Sequence, residues 1–332
     1  MRRFFLGAVC AGSMILAGAI AQAQTTIRVT LQLPKTHSLG QNWLDFKALI
    51  EERSGGELQL QLFDSAQLFK DKEVPEAVGT GAVEAGSAYL GRFTGAVPAV
   101  DVVAIPFIFK NETHLRASVA PGSRLRKTLD DAILAETNDR VLWWQAFGRN
   151  IYLSNGSAIR VPADMKDKKV RTYGKIQGWT VEALGGAPTL MSGSKQFLAY
   201  QQGAVDVGMT GASAVKSRKL YEVMDHMTLS YDSAIEFLAV MNNDFFQGLS
   251  AKNQAIIMDA ATEVEAKLRD AIYKQEVDAV EEVKSKMTVV ELTDSERAQW
   301  VAATAGVVDR FIKETGDTGA AAVAAVKAAS PN

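Results

Sequence analysis

Residues 251–287 run for 37 positions without a glycine or a proline. Within them Ile257, Ala261, Val264, Leu268, Ala271, Ile272 and Val283 recur at near-helical spacing. At 1.5 Å per residue such a helix would be roughly 55 Å long, whereas a small domain is only about 30 Å across. One helix laid over two lobes accommodates that length; two helices with an unmarked break are the alternative. The segment therefore argues for two lobes, the size expected for a chain of 332 residues.

The remainder alternates strand-like and helix-like pieces. Ile27, Val29, Leu31 and Leu33 alternate with polar residues, as do Leu58, Leu60 and Leu62, and that is the period of a strand. Ser38 and Gln41 have capping-box form ahead of Trp43, Phe46 and Ile50 at helical spacing, and Gly55-Gly56 stops that helix. Further strands are expected at 83–88, 140–145, 151–154, 169–171 and 205–209. Helices are expected at 71–78, 125–136, 176–184, 195–202 and 212–223, with a terminal alanine-rich helix at 320–329. Alternation of this kind predicts an α/β fold with largely parallel sheets. Trp43, Trp143 and Trp144 are expected in the core.

The first 23 residues read as an export signal. Arg2 and Arg3 are its charged start, Phe4 to Ile20 its apolar run, and Ala21-Gln22-Ala23 its cleavage site. Ordinary secretory and twin-arginine export both fit. Cleavage would leave 309 residues and change the net charge from −2 to −4, because Arg2 and Arg3 are the only charges removed. It would also remove Cys10, the one cysteine. Disulfides, thiolate metal sites and cysteine nucleophiles are thereby excluded from the mature chain. A slightly acidic chain lacks the basic footprint of a nucleic-acid binder. The expected compartment is the periplasm.

No H-E-x-x-H, G-x-S-x-G or Walker-type loop is present. His37, His114 and His226 are far apart and lack metal-ligand spacing. Asp130-Asp131 and Glu281-Glu282 read as solvated charge. An exported two-lobed α/β chain without a catalytic constellation points to binding, not to an enzyme, and no cofactor or metal site is expected. Whether a metal ion assists binding is left open by the sequence.

Several stretches, in order along nearly the whole mature chain, resemble the solute-binding receptors of tripartite ATP-independent periplasmic (TRAP) transporters. They include Phe63-Asp64-Ser65-Ala66-Gln67-Leu68, Ile105-Pro106-Phe107-Ile108-Phe109 and Gly148-Arg149-Asn150. Asp164-Met165-Lys166, Lys169-Val170-Arg171, Leu184 to Pro188, Gln202 to Asp206 and Lys219 to Val223 continue the match. The family is the one named after its C4-dicarboxylate member. The resemblance implies a periplasmic-binding-protein-like fold: two α/β lobes, a cleft that closes on one small organic acid, and a long helix spanning both. It places lobe I at 24–146 plus 236–276 and lobe II at 147–235 plus 277–332. It also implies delivery of the ligand to integral membrane subunits. A binding protein for an ATP-driven importer or a sensor kinase, an exported enzyme and a structural dimer are the rival readings. A monomer is favoured.

The site residues follow from the same resemblance. Arg171, at the end of the K-x-R strand, corresponds to the arginine that grips the ligand carboxylate, and Arg149 to a second arginine of the family. Ala88, Tyr89 and Arg92 correspond to the segment after the second helix, and Thr210 to the polar position after the V-D strand. Gln32 and Gly193 complete the expected set. A guanidinium suits this task because its planar fork matches a carboxylate with two parallel hydrogen bonds. Arg171 also closes a predicted strand, where open α/β sheets hold their ligands. The chain departs from the family pattern at three places: Gly208-Met209-Thr210 replaces Q-E-N, Gly193 replaces a bulky residue, and Leu68-Phe69 replaces L-G. These changes predict a ligand less polar than a sugar acid: a keto, hydroxy or aromatic monocarboxylate.

Overall fold

The computed structural model describes residues 24–329. The export signal expected at residues 1–23, with Cys10, lies outside the described residues. The first lobe begins with β1 (Thr25–Leu31), α1 (Ser38–Arg53), β2 (Leu58–Phe63), α2 (Val74–Gly79) and β3 (Ala85–Tyr89). Helices α3 (Glu112–Val119) and α4 (Arg124–Thr137) lead into β4 (Asp139–Arg149), which carries the chain to the second lobe. There follow β5 (Ile151–Ser154), β6 (Lys169–Thr172), α5 (Lys175–Ala183), β7 (Ala187–Leu190), α6 (Gln196–Gln201), β8 (Val207–Thr210), α7 (Ala212–Ser217) and β9 (His226–Leu229). Strand β10 (Ala234–Asn242) returns to the first lobe, α8 (Asn243–Gly248) turns the chain, and α9 (Ala251–Val283) crosses again. The order ends with β11 (Thr288–Glu291), α10 (Asp294–Thr304) and α11 (Gly306–Ala328).

Each lobe holds one sheet, ordered β2-β1-β3-β10-β4 in the first and β11-β9-β5-β8-β6-β7 in the second. The sheets are mixed, not largely parallel as the alternation predicted. Strands β1, β2 and β3 are parallel, but β10 is antiparallel to both β3 and β4. In the second sheet β5 is antiparallel to β8 and β9. The reason is connectivity. The reversed strands are those that cross between lobes or begin just after a crossing, so they lack the helical return that makes neighbours parallel.

The glycine- and proline-free run is one helix. Helix α9 spans 33 residues, about 50 Å at 1.5 Å per residue. Its start is capped by the Ser250 hydroxyl, which accepts from the Asn253 amide at 3.2 Å. Its first half lies over α1, where Asn42 Nδ2 donates to the Val264 carbonyl at 2.8 Å. Its second half buries Ala279, Val280 and Val283 beside Val215 of α7. Helix α11 kinks at Gly316, where φ is 63°, and buries Phe311, Val323 and Val326 against 98–104 of the first lobe. It also touches α5, so the C-terminal segment assigned from sequence to the second lobe packs on both.

Other expectations shift locally. Helix α1 is capped by His37, not by a Ser38 box: His37 Nδ1 accepts from the Leu39 amide at 3.0 Å, while Gln41 turns to the Lys35 carbonyl. The helix expected at 212–223 stops at Ser217, because Lys219 takes φ of 52°. Asp130 is not solvated charge; it accepts from Trp144 Nε1 at 2.8 Å and pairs with Arg126. Trp43, Trp143 and Trp144 are wholly buried, as expected.

Candidate ligand-binding site

The carboxyl ends of β1, β3, β6 and β8 point toward the space between the sheets, the place where open α/β sheets hold ligands. A small cavity lies there, lined from both lobes. Its polar side is Gln32, Asp71, Arg171, Gly193, Gln196, Thr210 and Arg218. Its apolar side is Leu33, Phe147, Ile235 and Phe237, with Tyr89 and Tyr173 between. The aromatic rings form a continuous wall: Phe147 stacks on Phe237 at 5.2 Å, and Tyr89 meets Tyr173 edge-on at 5.1 Å.

Arg171 is 3% exposed and sits one residue before the end of β6. Its Nε and Nη2 donate to the Met191 carbonyl at 3.1 and 2.9 Å, and Nη1 donates to the Met209 carbonyl. Three of its five N–H groups are thus held by backbone, which fixes the plane of the fork and leaves two donors over. Arg218, just past α7, donates Nη2 to the Gln32 carbonyl at 3.3 Å. Among the described residues, neither guanidinium is bonded to a carboxylate. Burial depresses both guanidiniums, and the charge of Arg171 adds to this at Arg218, which is pushed down to about 10.

The nearby acid is engaged elsewhere. Asp71 accepts from Arg92 Nε at 2.7 Å and from the Ser192 hydroxyl. Gln32 Oε1 is buried without a donor among the described residues. Four hydrogen bonds join the lobes around the cavity: Ser192 to Asp71, Arg218 to Gln32, Gln177 Nε2 to the Tyr89 hydroxyl at 2.9 Å, and His37 Nε2 to Ser213 Oγ at 3.0 Å. Burial, with Arg218 close by, pushes His37 down to about 3, so it is neutral at physiological pH. Its Nδ1 accepts the α1 cap bond, so its proton sits on Nε2, facing Ser213.

The structure sorts the residues expected from sequence. Arg171, Thr210, Tyr89, Gln32 and Gly193 share the cavity. Ala88 does not, because successive residues of a strand face opposite sides; with Tyr89 toward the cavity, Ala88 is buried in the core beneath. Arg92 stands behind the lining and holds Asp71. Arg149 lies outside the cavity. Its Nε donates to Glu276 Oε1 at 2.9 Å, its amide donates to Oε2 at 2.8 Å, and its guanidinium lies 3.5 Å over the Tyr231 ring. It lines a separate cavity with Tyr231, Tyr273 and Arg297. Gly148, with φ of 121°, makes room for that pair, since a Cβ there would come within 2.9 Å of Glu276 Oε2.

Sequence reasoning missed Arg218, Asp71, Gln196 and, apart from Tyr89, the aromatic wall. Arg218 sits among Lys216 and Lys219 and reads as a solvated helical face. Its one signal was Gly193: a missing side chain in one element leaves space that another must fill. Among the described residues, no group of three or more His, Cys, Asp or Glu could hold a metal ion, and no helix is long and apolar enough to cross a membrane.

The architecture and the order of matched segments agree with comparison to known proteins. Residues 30–315 match the family model described as bacterial extracellular solute-binding protein, family 7 (DctP). A solute-binding protein of Verminephrobacter eiseniae is 30% identical over 302 residues, covering 90% of this chain and 88% of that one. A TRAP periplasmic solute-binding protein from Roseobacter denitrificans, solved with β-D-glucuronate, is 26% identical with a TM-score of 0.84, covering 92% and 99% of the two chains. The sugar acid binding protein DctPAm of Advenella mimigardefordensis, in complex with galactonate, superposes with a TM-score of 0.88 at 22% identity, covering 93% and 99%. The chain belongs to the DctP family of bacterial extracellular solute-binding proteins, the receptors of TRAP transporters.

Proposed function

We propose that the chain is a periplasmic receptor that captures a small organic acid between its lobes and delivers it to the integral membrane subunits of a TRAP transporter. The observation that carries this reading is Arg171. A buried guanidinium without an anionic partner is costly, so a fold that keeps one fixed by backbone carbonyls alone has kept it for an anion that arrives. The carboxylate would take the two free donors of Arg171 and lie beside Thr210. Tyr89, Gln32 and Gly193 would complete its surroundings, and the aromatic wall would take the rest of the ligand. Enclosure strengthens the charge pair by excluding water. It also selects, because each buried polar group must find its partner in the ligand.

The lobes would open and close about the strands that join them, and a ligand that bonds both lobes favours the closed state. The hinge is ordered by Asn150, whose Nδ2 donates to Asp232 at 2.8 Å and whose amide donates to the Ser233 carbonyl at 2.9 Å. The test is a thermal-shift screen of the mature protein against several hundred organic acids. A ligand at 100 times its Kd adds about 2.7 kcal/mol and raises Tm visibly. A screen without any saturable shift would end this reading.

A further inference from the structure

The reading above assigns one arginine to the carboxylate, yet the cavity contains two. Arg218 has only a single long bond to the Gln32 carbonyl, and four of its five N–H groups have no partner among the described residues. It reaches the cavity because residue 193 has no side chain. A Cβ on Gly193 would fall 2.5 Å from Arg218 Nη1 and 2.7 Å from Gln32 Oε1. The guanidinium therefore occupies the volume that a larger residue would fill.

Charge and polarity then limit what the cavity can hold. Asp71 is already shared between Arg92 and Ser192, so it neutralises neither Arg171 nor Arg218 directly. It does, however, line the cavity, and a second carboxylate on the ligand would meet its field. Opposite the arginines, Leu33, Phe147, Ile235 and Phe237 offer no hydrogen bond to a hydroxyl. A polyhydroxylated body placed there would lose its water without replacement.

We propose that Arg218, seated by Gly193, is a second ligand-binding arginine, that it and Arg171 grip one carboxylate from two sides, and that the cavity selects compact monocarboxylates with an apolar body over dicarboxylates and sugar acids. This rests on the receptor reading above and makes it narrower. Two forks around one carboxylate give each oxygen donors from both, and the anion relieves the repulsion between the two cations. The apolar body fills the aromatic wall. Gly193 thereby becomes a specificity position, since any side chain displaces the second fork without removing its charge.

The experiment is calorimetric titration of wild type, Arg171→Met, Arg218→Met and Gly193→Ala. The probes are benzoate, 4-methylpentanoate, succinate and glucuronate, with benzamide as the uncharged isostere of benzoate. Wild type should bind benzoate or 4-methylpentanoate at least tenfold more tightly than succinate or glucuronate. Arg218→Met and Gly193→Ala should each weaken that acid at least tenfold but benzamide far less, since its carbonyl accepts a hydrogen bond but carries no charge; a merely structural role would weaken both alike. If Arg218→Met fails to fold, Gly193→Ala, which keeps the arginine but moves it, decides. Tightest binding of succinate or glucuronate, or a loss below tenfold in the folded variants, overturns the proposal and leaves the Arg171 reading standing. Loss in Arg218→Met of benzamide and benzoate alike overturns it too. Failure of wild type to bind any organic acid overturns both.

Discussion

Arg149 and Arg171 are both arginines in the last residues of a strand, and family resemblance assigns both to the ligand. Their surroundings differ. Arg149 has a resident carboxylate, Glu276 on the long helix, and two tyrosine rings, Tyr231 and Tyr273. Arg171 has backbone carbonyls and a second arginine. The first environment is complete within the protein and ties β4 to α9 beside the crossing. The second holds no carboxylate bonded to either guanidinium among the described residues, and on that the proposed anion site rests. Position on a strand end therefore does not distinguish the two arginines; the identity of their acceptors does, and the proposed roles follow from it. The same test applies with the sign reversed to Asp139, a buried acid without a hydrogen-bond donor on either oxygen among the described residues.

The comparison can be broken in several places. The largest effect should come from Arg149→Met, which strands the buried Glu276. Breaking such a pair costs about 3 kcal/mol, reduced somewhat because Arg149 is 30% exposed, and urea unfolding should read it. Retained ligand affinity would confirm the structural assignment; a collapse of binding in a folded variant would return Arg149 to the site. Asp139→Asn should stabilise the fold at pH 7, because the buried acid must take up a proton on folding and the amide need not.

The pH dependence of Asp139 fixes the sign. Burial raises its carboxyl from 3.8 to about 8, so the unfolded chain releases the proton first. Stability from this group is full below pH 3.8 and falls as pH rises toward 8. The Asn variant should lose that slope and match wild type near pH 4. A constant difference at all pH values would mean that the acid is stabilised by contacts not described above.

Arg171→Ala should weaken binding at least tenfold, about 1.4 kcal/mol, with the fold intact. Arg218→Met should raise the melting point of the ligand-free protein by about 2 °C, because it removes one of two repelling buried cations, while abolishing most of the shift that the ligand gives. Lys127→Ala sits at the bottom of the series. Its pair with Asp131 is exposed on both sides, and urea unfolding should register no change.

Most of the fold was legible because it rests on local periodicity. The alternation of Leu58, Leu60 and Leu62 and the unbroken run from Ala251 to Val283 need no partner to be recognised. Strand direction was not legible, because it follows from where the chain crosses between lobes, and nothing in the pattern of β10 records that. Capping by His37 was hidden by a neighbouring serine with a better intrinsic preference. Within the site, Arg171 was legible through its strand end. Arg218 was not, because its burial depends on Gly193, which lies 25 positions away in sequence. Asp71 and Ser192 meet across the lobes, a contact that neither segment signals alone.

The central claim is that Arg171 holds the carboxylate of an organic acid. The most direct measurement is calorimetric titration of the tightest acid from the thermal screen into wild type and Arg171→Ala. The account predicts saturable one-to-one binding in wild type and at least tenfold weaker binding in the variant. Equal affinity in the two proteins would contradict it.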